Sequence, residues 1–174
     1  MLKKSRHYLL FIIGLFISFY LEGALMHAFP YLLAGKFPMV PYLTVTWLIY
    51  TILFSDRKQN IHIYWWAFGI GLLYDSYYIG VLGIYTFIFP IVVLVTKLIL
   101  EYVDENIYSS IMIYLIDIII VLVLGYTGGR MSHLVYFSGI HFFAYAFGPT
   151  LLLNLVIFLL LYFPISLLFD KYRK

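Results

Sequence analysis

Apolar residues run along this chain in six long blocks, with neither the alternation of a half-buried strand nor the polar face of a soluble helix. The blocks are 8–29, 38–54, 61–78, 81–100, 107–126 and 149–169. A membrane-crossing helix takes roughly 20 apolar residues. The pattern therefore predicts an all-α integral membrane protein, a compact bundle of about six transmembrane helices forming one domain over residues 1–174. The breaks between blocks carry turn signals. Pro30, Gly35, Pro38 and Pro41 mark the first, and Ser55 opens a polar loop through Asn60. Gly80 and Gly83 bracket a tight third turn, and Glu101 to Asn106 form a charged fourth. The long stretch 127–148 holds Tyr136, Phe137, Phe142, Phe143, Tyr145 and Phe147, and reads as an interfacial connection on the outer face. Its alternative is a looser extension of the last helix.

Composition agrees with the pattern. Hydrophobic residues make up 64% of the chain and charged residues only 11%, with a mean hydropathy of +0.99. So few charges cannot cover the core of a soluble domain. The absence of cysteine excludes disulfides and thiolate chemistry. The placement of Lys and Arg fixes an expected orientation. With the N-terminus inside, Lys3, Lys4, Arg6, Arg57, Lys58, Lys97, Lys171, Arg173 and Lys174 fall on the cytoplasmic side, against Lys36 and Arg130 outside. The expected location is the bacterial plasma membrane, with both termini cytoplasmic. The first block is expected to stay as a span rather than be cleaved, because bulky Phe16, Phe19 and Tyr20 stand where a signal peptide needs small residues.

Three carboxylates lie within predicted spans: Glu22, Asp75 and Asp117. Each needs a partner, a proton or a protein interior. At a ~1.5 Å rise per residue, Glu22 and Asp75 sit about 21 Å from the inner boundary. On the same reckoning Asn154 sits about 8 Å below the outer one, which puts all three in one layer. Thr86 falls there too, and Asp117 lies nearer the middle. The layer is either a substrate or proton site, or a set of interhelical hydrogen bonds holding the bundle. Gly14, Ser18 and Glu22 share one helix face, as do Ala67, Gly71 and Asp75, and small residues at this spacing allow close helix packing.

Other chemistry is not expected. His7, His27, His62, His133 and His141 stand in separate segments, so no metal or other cofactor is implied. The glycines of Gly125 to Arg130 read as a turn, and the Tyr and Phe excess as interfacial belt and lipid-facing packing. Basic residues are few and flank the spans, so no nucleic acid is expected.

Three stretches carry a resemblance. They are Pro41 to Tyr50 together with Phe68 to Tyr85, then Phe147-Gly-Pro-Thr-Leu-Leu-Leu-Asn154, then Leu21-Glu22-Gly23. The glycine-rich helix followed by Asp75 and a Leu-Gly-Ile turn resembles the rod shape-determining protein MreD family, Gram-positive type. Glu22 stands where relatives often carry Asp. The resemblance implies a non-enzymatic membrane subunit of the bacterial cell-elongation machinery. Its implied partners are an MreC-like protein, a RodA-like glycosyltransferase with its class B penicillin-binding transpeptidase, and the MreB filament. It also implies a fold similar to the substrate-binding subunits of energy-coupling-factor transporters. A vitamin carrier of that kind is the alternative function, although Ala24 and Ala28 lie at the wrong end of the first helix for its docking stripe. A proton-coupled transporter would show inverted repeats, and none is evident. Asp75 is expected to cap the outer end of its own helix through N–H groups of the 76–83 turn, or to bond Asn154 or Thr86. On that reading, Asn is tolerated at position 75 and Leu is not.

Overall fold

The computed structural model describes residues 2–33, 35–55, 62–104 and 106–173. The polar loop at 56–60, the expected start of the third block at residue 61, and Lys174 lie outside the described residues. So do the side chains of Lys3, Lys4 and Arg173.

All regular secondary structure among the described residues is helical, with no strand. Its elements are α1 (Leu2–Ala28), α2 (Pro30–Leu33), α3 (Leu43–Phe54), α4 (Ile63–Tyr74), α5 (Tyr85–Leu100), α6 (Ile107–Met131), α7 (Gly139–His141) and α8 (Gly148–Arg173). Stretches Arg6–Ala28, Ile107–Met131 and Gly139–Lys171 are long and apolar enough to cross a membrane. By contrast α3, α4 and α5 have 12, 12 and 16 residues, short of the roughly 20 that a full span takes.

The shortening has local causes. Pro38 and Pro41 lack N–H groups and hold the preceding backbone extended, so α3 begins at Leu43 rather than at residue 38. The non-helical strap 38–42 lies along α8. There Val40 N–H donates to Thr150 Oγ1 at 3.4 Å, and Asn154 Nδ2 donates to Val40 O at 2.7 Å. Past Tyr74, α4 widens into a π-helical turn, Asp75–Ile79, closed by Gly80 N–H on Asp75 O at 2.7 Å. Gly80 and Gly83 have φ of 77° and 105°, a left-handed backbone that side chains other than glycine strain to adopt. The tight α4–α5 hairpin follows from these two residues.

Two expected boundaries move. α6 continues to Met131, so the Gly125–Arg130 stretch is the end of a helix and not a turn. Its glycines serve packing. A Cβ at Gly125 would come within 2.9 Å of the Tyr85 hydroxyl, and one at Gly128 within 2.9 Å of Ile84 Cγ2. After the left-handed His133 (φ 56°), the chain becomes helical again at Gly139. It runs through α7 and a π-helical turn at Phe142–Phe147 directly into α8. Much of the stretch expected as an interfacial connection therefore extends the last helix.

Helix α3 is central. It packs against α1, α5, α6 and α8, and each residue from Leu43 to Thr51 is buried. The outward faces carry Trp65, Phe87, Leu152, Leu160 and Phe163, all exposed. A helix without a polar side needs no solvent, but its backbone N–H and C=O groups still need partners.

Candidate functional site

The first N–H groups of any helix have no partner within it. α3 and α5 begin inside the protein, and neither carries a capping side chain of its own: the residues before them are Tyr42 and Ile84. Three distant side chains fill that need.

Glu22, on α1 and 2% exposed, reaches the start of α3. Its Oε2 accepts from the Thr44 N–H at 3.0 Å and from the Thr44 hydroxyl at 2.9 Å. Its Oε1 accepts from the Tyr74 hydroxyl at 2.6 Å. Asn154, on α8, completes the same end. Its Oδ1 accepts from the Tyr42 N–H at 2.8 Å, while its Nδ2 donates to Val40 O and to Thr150 O. The amide is therefore used on both sides.

Asp75, wholly buried at the end of α4, caps the next helix rather than its own. Its Oδ2 accepts from the N–H groups of Gly83 (2.8 Å) and Thr86 (3.0 Å) and from the Thr86 hydroxyl (2.7 Å). Its Oδ1 accepts from the Tyr85 N–H at 2.8 Å. A carboxylate at a helix N-terminus also complements the helix dipole. Thr86 and the turn are thus partners as expected, whereas Asn154 is not. The geometry argues against the expected tolerance of Asn at position 75. All four bonds arrive at acceptors, and an amide would turn one acceptor into a donor facing donors.

Tyrosines join the three centres. The Tyr42 and Tyr85 hydroxyls lie 3.2 Å apart, and the Tyr74 and Tyr85 rings have centroids 4.5 Å apart. Many tyrosines are exposed, as the expected belt and lipid-facing packing requires, among them Tyr31, Tyr102, Tyr108 and Tyr136, but a second group lies inside. Tyr42, Tyr50, Tyr74, Tyr85 and Tyr114 are buried, and their hydroxyls bond Tyr85, Phe158 O, Glu22, Tyr42 and Thr46 respectively. The signal in the sequence is the phenol itself, an apolar body whose O–H seeks a partner when buried.

The small-residue stripes sit where they bring these groups together. A Cβ at Gly71 would stand 2.5 Å from Tyr85 O and 2.8 Å from Thr86 Cα, so α4 touches the α5 backbone there. One turn before it, Ala67 is fully buried. On α1, a Cβ at Gly14 would overlap Trp47 Cζ2, and Ser18 donates to Leu15 O at 2.9 Å. Trp47 Nε1 donates to Phe11 O at 3.0 Å, which fixes the ring over Gly14. Asp117, on α6, stands apart from this layer and contacts Thr96 of α5 at 2.6 Å.

Chemically, the oxygens of Glu22 and Asp75 are committed to helix ends, to Thr44 and Thr86 and to Tyr74. Among the described residues no group of three or more His, Cys, Asp or Glu is placed to hold a metal ion.

No curated protein and no solved structure gives a match to this chain. The sequence model of the rod shape-determining protein MreD, by contrast, matches residues 5–172, which take in the Glu22, Asp75 and Asn154 layer and both small-residue stripes. The chain belongs to the rod shape-determining protein MreD family, membrane proteins of rod-shape determination.

Proposed function

We propose that this protein is a non-enzymatic scaffold of the cell-elongation machinery, holding an MreC-like protein and, through it, the RodA-like glycosyltransferase and its class B transpeptidase near the MreB filament. The observation that carries this reading is the family match over nearly the whole chain. The committed polar layer supports it as well: Glu22, Asp75 and Asn154 spend their hydrogen bonds on closing the bundle. A carrier needs convergent polar groups left over for its ligand. Depleting the protein should give rounded cells with delocalised MreC-like protein. Pull-down from solubilised membranes should recover MreC-like and RodA-like chains. Recovery of an ATPase pair instead, with normal cell shape and impaired vitamin uptake, would replace this reading with the carrier one.

The same proposal places the chain across the plasma membrane six times, with both termini in the cytoplasm. Nine of the eleven basic residues fall on the inner side in that arrangement. Three crossings would then combine a short helix with non-helical backbone shielded by neighbouring helices, as buried irregular backbone in membranes requires. The chain has no native cysteine, so single cysteines report cleanly. Cysteines at Lys36 and Arg130 should react with an impermeant reagent in intact cells, and one at Asp104 should not. Labelling at Asp104 would reverse the topology.

A further inference from the structure

The third buried carboxyl differs from the other two in the bonds around it. Glu22 and Asp75 receive hydrogens from every partner. Asp117 is fully buried, its Oδ1 has no hydrogen-bond partner, and its Oδ2 lies 2.6 Å from Thr96 Oγ1. The Thr96 hydroxyl also lies 2.8 Å from Val92 O.

Counting hydrogens decides the direction of these bonds. A carbonyl oxygen only accepts, so the contact with Val92 O uses the one hydrogen that a hydroxyl owns. The short contact between Thr96 Oγ1 and Asp117 Oδ2 then needs a hydrogen from Asp117. The opposite arrangement leaves a carboxylate with one hydrogen bond and one bare oxygen, between helices whose neighbouring positions Val93, Ile113 and Val121 are buried and apolar. Burying a charge with so little compensation is costly. Nearby ionisable groups on the packed elements supply no counter-charge. Tyr114, one turn earlier on α6, gives its hydroxyl to Thr46 of α3 at 2.8 Å. Lys97 of α5 lies over the Tyr64 ring at 4.4 Å. Tyr162 of α8 lies 3.5 Å from Ser110 Oγ.

We propose that Asp117 is a proton-binding site within the bundle: its carboxylic acid donates to Thr96 Oγ1, which donates in turn to Val92 O, tying α6 to α5 without a buried charge. The inference rests on hydrogen-bond geometry alone and stands whether or not the scaffold reading does.

The test uses the full chain in detergent, grown with side-chain carboxyl-13C aspartate so that aspartic-acid carbonyl bands are displaced from those of glutamic acid. Infrared spectra at neutral pH should contain the carbonyl stretch of a protonated aspartic acid, shifted on transfer to D2O. The band should vanish in Asp117→Asn. In Thr96→Val it should persist and move towards the frequency of a free acid. Absence of the band from the wild-type protein overturns the proposal without any variant. Persistence of the band in Asp117→Asn overturns it equally.

Discussion

Thr44 gives Glu22 Oε2 two hydrogen bonds at once, from its N–H at 3.0 Å and its hydroxyl at 2.9 Å. Thr86 does the same for Asp75 Oδ2, at 3.0 and 2.7 Å. Each threonine is the second residue of its helix. Two helices that start inside the bundle are thus closed by one device, a threonine facing an acid borne on another helix.

Asp75 is the more heavily used acid, so its variants should rank by acceptors lost. Asp75→Leu removes all four bonds and should prevent assembly of the α4–α5 hairpin. Asp75→Asn keeps one acceptor and sets its amide hydrogens against the donors, so it should still cost about 1–3 kcal/mol. Thermal unfolding of both in detergent checks this. An Asn variant as stable as wild type would refute the acceptor-only arrangement.

The Glu22–Thr44 pair should be coupled. Thr44→Val loses one hydrogen bond to the Glu22 carboxyl, roughly 0.5–3 kcal/mol, while Glu22→Gln also disturbs the bond from Tyr74. In a double-mutant cycle, residues sharing a bond show non-additivity of about 0.5–3 kcal/mol. Strict additivity would mean that the side-chain contact at 2.9 Å contributes nothing.

Gly71 and Gly69 form a matched pair on α4. Gly71→Ala should force α4 from the α5 backbone and destabilise the protein by about 1–3 kcal/mol. Gly69→Ala has open space around it and should stay within about 0.5 kcal/mol of wild type. Equal behaviour of the two variants would remove the packing role from Gly71.

Gly14 is tested through Trp47. Gly14→Ala should destabilise the chain, because its new methyl meets an indole held by Phe11 O. In a Trp47→Leu background the added penalty should vanish. If Gly14→Ala costs the same in both backgrounds, the glycine matters for something other than the indole.

The polar layer is legible in the sequence as a depth. Rise per residue depends only on position along a helix, so counting residues is enough to bring Glu22, Asp75, Asn154 and Thr86 to one level. Their bonding partners are not legible. Glu22 meets Thr44 across 22 positions and Asn154 meets Tyr42 across 112, and no local spacing encodes such pairings. The six apolar blocks are visible as blocks, but their helix ends are not. A proline-bearing strap at 38–42 and a π turn at 75–79 look apolar enough to continue a helix. The buried tyrosines escape sequence reasoning because an aromatic belt and an aromatic core have the same composition.

The strap between Val40 and Asn154 has a consequence for synthesis. α8 leaves the ribosome well after α3, yet Asn154 supplies the acceptor for Tyr42 and the donor for Val40, more than a hundred residues upstream. Until α8 arrives, the entry to the central helix stays open, with polar backbone unmatched in the heart of the fold. A nascent chain stopped before Pro149 should therefore remain protease-sensitive around residues 38–46 and be cleared by membrane quality control. A chain that carries α8 should become resistant there in a single step.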